Sequence, residues 1–281
     1  MDGQNALIMK RSTSTLPCKI SAPSMVFGED LVDNVQRLAG IVDHVEIVLF
    51  HTPMLHNFPT PNDIEALLEI KAQEKITLSV HLPTSLEIAS TEREQREASV
   101  QLARELFLKM SILEPLYYIL HIPFTPPTLV PVPGSYIAKG PHAEWGDWSQ
   151  RALISLETLC CDLTNTQKIL VENINYSPCF LEPFLQSGFC DLCLDLGHLM
   201  LGNENVTDVL TQYLGVTREI HLHGVKGHEE HVSLAALPQP LIAEWMQIVH
   251  SAGFSGVLNL EVFSPSDLEE SDTLVREAFF R

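Results

Sequence analysis

Eight short apolar runs, each followed by a longer amphipathic stretch, recur along the whole of this 281-residue chain. The runs cover 18–21, 45–50, 76–81, 117–123, 168–173, 189–195, 219–223 and 257–262. Their β-branched content and near-continuous apolarity suit strands buried on both faces, as parallel strands are. The stretches between them, about 30–38, 62–72, 90–110, 148–163, 180–186, 206–214, 241–252 and 267–279, carry helical periodicity. Asn62 and Ser90 are candidate N-caps, and Pro61 and Pro178 stand near helix starts. Eight strand–helix repeats without a break in composition predict one α/β domain, a closed (β/α)8 barrel over residues 1–281. An open doubly wound sheet usually has a glycine-rich first turn, and SAPSMVFGED has none.

Composition narrows the partners. The formal charge is −19, which repels phosphate backbones and makes duplex nucleic acid an unfavourable partner. No window reaches the roughly 18 apolar residues of a membrane span, and the opening MDGQNALIMKRSTST has no continuous apolar stretch. A cytoplasmic protein is the simplest reading, with residues 1–16 a flexible N-terminal extension. Of the six cysteines, several lie in strand-like runs, which predicts reduced, buried thiols. Cys190 and Cys193 form a lone CxxC, read as core packing because no second pair accompanies it. The Pro-rich stretch 125–146 is long enough to be a lid or binding loop, or a strap across the barrel mouth.

The chemistry lies in the strand ends. An ionisable side chain inside an apolar strand is costly unless it is paired or metal-bound. Here TLSVHLP carries His81, YYILHIP carries His121 and ILVENI carries Glu172. LCLDLGH carries Asp195 and His198, EIHLHG carries His221 and His223, and VLNLEVF carries Glu261. One histidine in a strand is commonly a satisfied core residue; six consecutive strands with the same feature are not explained that way. In a barrel these ends ring one mouth, and imidazoles with carboxylates are the donor set of zinc and related divalent ions. Beyond the seventh strand, KGHEEHVSL places Glu229 and His231 two apart, able to grip a further ion from one side.

This pattern resembles the xylose-isomerase-like barrels, and within them the endonuclease IV type of apurinic endonuclease. The likeness runs from the third strand to the eighth. It implies a cluster of zinc ions, two or three, with manganese or cobalt as alternatives. A first ion would take His81, His121 and Glu172, and a second Glu172, Asp195, His221 and Glu261. A third would take His198, Glu229 and His231, with glutamate where the family has aspartate. Sugar isomerases and epimerases of the superfamily look similar at Glu172, Asp195, His221 and Glu261 only, hold one ion there, and use the two glutamates for proton transfer.

The additional His81, His121 and acid-x-His pair therefore predict a metal-dependent hydrolase with Glu172 and Glu261 as catalytic residues. The loop HTPMLHNFPTP after the second strand lacks Arg and Lys, so the expected substrate is a small non-DNA phosphodiester. The cobamide-remodelling phosphodiesterases look similar in the HLHG motif and in length. The alternative is a single-metal isomerase or epimerase of a keto sugar. Expected substrate contacts are His223, Asn173, His51 and Trp145, with Trp145 alternatively anchoring the next helix. The sequence leaves the oligomeric state open.

Overall fold

A computed structural model describes residues 16–28, 30–52, 56–124, 144–163 and 168–280. Within them the apolar runs become parallel strands: β1 (Lys19–Pro23), β2 (His44–Val48), β3 (Thr77–His81), β4 (Tyr117–His121), β5 (Lys168–Glu172), β6 (Cys190–Asp195) and β7 (Thr217–Leu222). A short antiparallel hairpin, β8 (Gly224–Lys226) and β9 (Glu229–Val232), precedes the last barrel strand, β10 (Val257–Leu260). The strands close in the order β1-β10-β7-β6-β5-β4-β3-β2. This is the single eightfold barrel that the repeat predicts.

Alternation along each strand sorts the side chains. Ile47, Val80, Leu120, Val171, Leu194, Ile220 and Leu260 face outward and are buried beneath the helices α1 (Leu31–Ala39), α2 (Pro61–Glu74), α3 (Arg93–Met110) and α4 (Trp145–Cys160). The ring continues with α5 (Glu182–Ser187), α6 (Leu196–Leu201), α7 (Val206–Tyr213), α8 (Gln239–Ser251) and α9 (Pro265–Phe279). No helix among the described residues is long and apolar enough to cross a membrane.

Several boundaries differ from the sequence expectation for local reasons. Helix α2 is capped by Thr60, not Asn62: its hydroxyl accepts from the Asp63 amide, the Asp63 carboxylate accepts from the Thr60 amide, and Pro61 occupies the first turn. Ser90 does not cap α3, which starts at Arg93; its hydroxyl instead donates to Gln95 at 2.7 Å. Helix α4 begins at Trp145, three residues early, because its first turn is held in an aromatic nest. Trp145 packs on Phe124, Trp148, Tyr176 and Phe180, and the Trp148 indole donates to the Pro123 carbonyl at 2.8 Å. Trp145 thus takes the anchoring role. Residues 1–15 and 125–143, the bulk of the expected extension and lid, lie outside the described residues. Cys190 and Cys193 are free and buried, Cys193 against Ile119 and Leu170 inside the barrel.

Candidate metal centre at the barrel mouth

Closure of the sheet brings six strand ends to one place. Glu172, at the end of β5, is the hub. Its Oε2 lies 3.2 Å from His121 Nε2, 3.3 Å from His81 Nε2 and 3.6 Å from His221 Nδ1. Its Oε1 lies 3.5 Å from His198 Nδ1. His221 Nδ1 in turn faces Glu261 Oε2 at 3.2 Å and Asp195 Oδ2 at 3.9 Å. The expected first pair of sets, His81–His121–Glu172 and Glu172–Asp195–His221–Glu261, therefore sit together as the topology requires.

Several ligand candidates are oriented from behind. His81 Nδ1 bonds the Leu82 carbonyl at 2.9 Å, leaving Nε2 toward Glu172. Asp195 ends β6 and caps α6, accepting from the His198 amide at 2.7 Å. The His198 Nδ1 bonds the Asn173 carbonyl at 2.9 Å, which leaves Nε2 toward the hairpin. Asn173 itself does not reach the mouth. It is fully buried, and its amide clamps the Asp195 backbone by donating to the carbonyl (2.9 Å) and accepting from the amide (2.8 Å). The expected substrate contact is instead a brace between β5 and β6.

The hairpin brings a second correction. The acid facing His198 is Glu230, with Oε2 3.8 Å from Nε2, rather than Glu229. His231 has a left-handed φ of 58°, and the β8–β9 ladder shifts register between Gly224 and Lys226. Both break the alternation that would have put residues 229 and 231 on one side, so the neighbours Glu230 and His231 join His198. Glu229 instead pairs in register with Lys226. His51 is exposed on the loop after β2, where its ring stacks on Phe58 at 5.4 Å.

His223 is more deeply engaged than expected. It is buried, its Nε2 lies 3.4 Å from Asp195 Oδ1, and its ring is tilted against that of His231 with centroids 4.2 Å apart. It also packs onto Gly197 of the DLGH motif so closely that a Cβ there would overlap the imidazole. Gly197→Ala should therefore displace His223 and cost about 1–3 kcal/mol of stability, as overpacking does. Denaturant titration of Gly197→Ala, His223→Ala and the double variant checks it: the double variant should be more stable than the sum of single losses, and strict additivity would remove the clash as the cause.

Five atoms at the mouth are buried and lack a hydrogen-bond partner among the described residues: His121 Nε2, His221 Nδ1, His223 Nε2, Asp195 Oδ2 and Glu261 Oε2. Buried polar atoms are nearly always satisfied, so converging orphans that combine carboxylate oxygens with imidazole nitrogens fit a cation. Charge behaves accordingly. Burial opposes protonation of His81, but Glu172 and Glu46 outweigh it and lift its pKa to about 9. His223 rises to about 9 as well: burial again opposes, and Asp195 wins. Burial alone would raise Glu172, yet the charges of His121 and His221 hold it well below the carboxylate range. The buried carboxylates thus draw positive charge to the site, as protons on the imidazoles when no ion is bound.

Two further buried acids escaped the sequence reading. Glu46 on β2 receives His221 Nε2 at 3.0 Å, and Glu219 on β7 is fully buried beside it. The signal was there: a carboxylate inside the apolar run VEIVLF is the same anomaly that singled out Glu172.

Against known families, the xylose isomerase-like TIM barrel profile matches residues 35–279. The chain belongs to that family. As a xylose isomerase-like barrel it resembles, among solved structures, a D-tagatose 3-epimerase-like protein (TM-score 0.76, 19% identity, covering 93% of this chain and 97% of that one). It also resembles the D-psicose 3-epimerase of Clostridium cellulolyticum H10 solved with D-tagatose (0.65, 13%, 93% and 96%). A xylose isomerase domain protein from Planctomyces limnophilus aligns similarly (0.67, 14%, 95% and 98%). At these identities the likeness shows the fold. No curated protein sequence matches the chain.

Proposed function

We propose that this xylose isomerase-like barrel is a divalent-metal-dependent isomerase or epimerase of a keto sugar. The observation that carries the reading is the convergence on His221 Nδ1 of Glu172, Asp195 and Glu261 oxygens at 3.2–3.9 Å. These four residues are the set that the resemblance assigns to single-metal sugar isomerases. A bound divalent ion supplies Lewis-acid polarisation of a carbonyl and steadies the charge that develops on its oxygen.

The protein's own groups do the rest. Glu261, with its side chain 11% exposed against 1% for Glu172, is the carboxylate placed to take a proton from a substrate carbon. Glu172 holds the ligand cluster together and returns the proton from the inner side. The sugar-epimerase names of the structural neighbours support this reading over the phosphodiesterase expected from the extra histidines. Incubation with ketoses in heavy water, followed by mass spectrometry, tests it: deuterium should enter at the carbon next to the carbonyl. A metal-loaded protein that incorporates none into any ketose of a broad panel would sink the proposal.

One observation favours the hydrolase as a second reading. Each Glu172 oxygen faces imidazoles, an arrangement suited to bridging ions more than to reaching a substrate. His198, Glu230 and His231 form a further donor group. Elemental analysis separates the readings: one ion per chain favours the isomerase, while two or three, with cleavage of small phosphodiesters, favour the hydrolase.

A further inference from the structure

The barrel interior beneath the mouth is divided. On one side Ile119, Leu170 and Cys193 form an apolar cluster of the kind that normally fills such barrels. On the other, Ser21, Glu46, Ser79, Glu219 and Asn259 are all buried. Within that polar half, Glu46 makes one contact directed at the mouth: its Oε2 lies 3.0 Å from Nε2 of His221, with both side chains wholly inaccessible to water.

We infer that Glu46 is a positioning residue that fixes the tautomer and tilt of His221 so that Nδ1 serves as the metal-binding atom. An imidazole has two nitrogens, and a carboxylate can only accept. With Nε2–H donating to Glu46, the lone pair of the neutral ring is on Nδ1. That atom is buried, has no hydrogen-bond partner, and faces Asp195 Oδ2 and Glu261 Oε2, which also have none. The contact spans 175 positions in sequence and joins β2 to β7 across the barrel. β2 contributes no side chain to the expected ligand set, and Glu46 gives this otherwise silent strand a role in the site.

Buried carboxylates behind metal-binding imidazoles raise the basicity of the ligand nitrogen, and their loss typically weakens metal affinity about 10–100-fold. The inference rests on the reading that the mouth binds a divalent ion, so the test separates the two. Zinc and cobalt affinities are measured by chelator competition for the wild type, Glu46→Gln and Glu219→Gln. Glu219→Gln is the comparison because it removes a second buried carboxyl from the same interior without touching the bond between Glu46 and His221.

The expected result is a wild type that binds tightly, about 10–100-fold weaker binding by Glu46→Gln, and little change in Glu219→Gln. The cobalt absorption spectrum should shift in Glu46→Gln alone. In zinc-loaded protein with isotope-labelled histidine, the His221 Nε2–H resonance should lie far downfield and move upfield in Glu46→Gln. Should Glu46→Gln fail to fold, that wild-type resonance decides: a His221 with no Nε2–H overturns the inference. Tight binding by the wild type and equal binding by Glu46→Gln also overturns it while leaving the metal site standing, as does an equal loss in both variants, which would mean the interior acts through packing alone. A wild type that binds neither ion refutes the metal site itself.

Discussion

Glu172→Gln is expected to abolish turnover, by at least about 10³-fold, the loss seen when a group holding the charge of a catalytic site is removed. The reason is geometric. Four imidazoles look at this one carboxylate, from 3.2 to 3.6 Å. A glutamine has nearly the same shape, so the barrel should remain folded, but it removes the negative charge around which the imidazoles and the ion gather. The same substitution should strip the protein of its ion, because the ligands grouped around Glu172 lose their common partner. Glu261→Gln should also abolish turnover while retaining more metal, since that side chain lies at the rim of the cluster. Circular dichroism, elemental analysis and the deuterium assay together check this. A folded Glu172→Gln protein with near-wild-type turnover would reject the placement of Glu172 at the centre of the chemistry.

The second large effect concerns removal of the ion. Binding to the folded state alone stabilises it by about 4 kcal/mol when free ligand stands at a thousand times Kd. For a chain of this size that corresponds to a drop in Tm of about 10 °C on chelation. The gap should depend on pH, and its sign is fixed by His81 and His223. Their folded pKa values of about 9 lie above the ordinary histidine value of 6.5. In the ion-free barrel the stabilisation from their protonated forms is complete below pH 6.5 and is lost as pH rises through 9. A ligand nitrogen must be unprotonated, so metal affinity should strengthen over the same interval. The Tm difference between loaded and chelated protein should therefore widen from pH 6.5 to 9. A constant difference would show that protons and metal do not compete for these imidazoles.

The residues that make the fold were legible because they obey local rules. A strand buried on both faces reads as a continuous apolar run, and a core helix reads as a stripe; both survive without knowledge of what packs against them. Histidines and carboxylates at the ends of such runs were legible as anomalies, since nothing local explains an ionisable group there. Where the reading slipped, a local signal was overridden by a neighbour. Thr60 with Asp63 outcompeted Asn62 for the cap of α2. The aromatic nest around Trp145 drew α4 back by a turn.

The hairpin after β7 and the brace behind Asp195 were not legible in that way. Whether Glu229 or Glu230 meets His198 depends on a left-handed residue at His231, a conformation that only a few per cent of non-glycine residues adopt and that residue type alone does not announce, even for histidine, where it is enriched. Asn173 was expected at the substrate and is instead a backbone clamp, because its amide meets both the NH and CO of Asp195.

By itself the sequence determined the eightfold repeat and most of the strand ends that carry donors, since each follows from short-range periodicity and the cost of burying charge. Only closure of the sheet decided which donors meet. Distances between side chains as remote in sequence as Glu46 and His221 depend on strand register and tilt around the whole ring, and those are set by all eight strands at once.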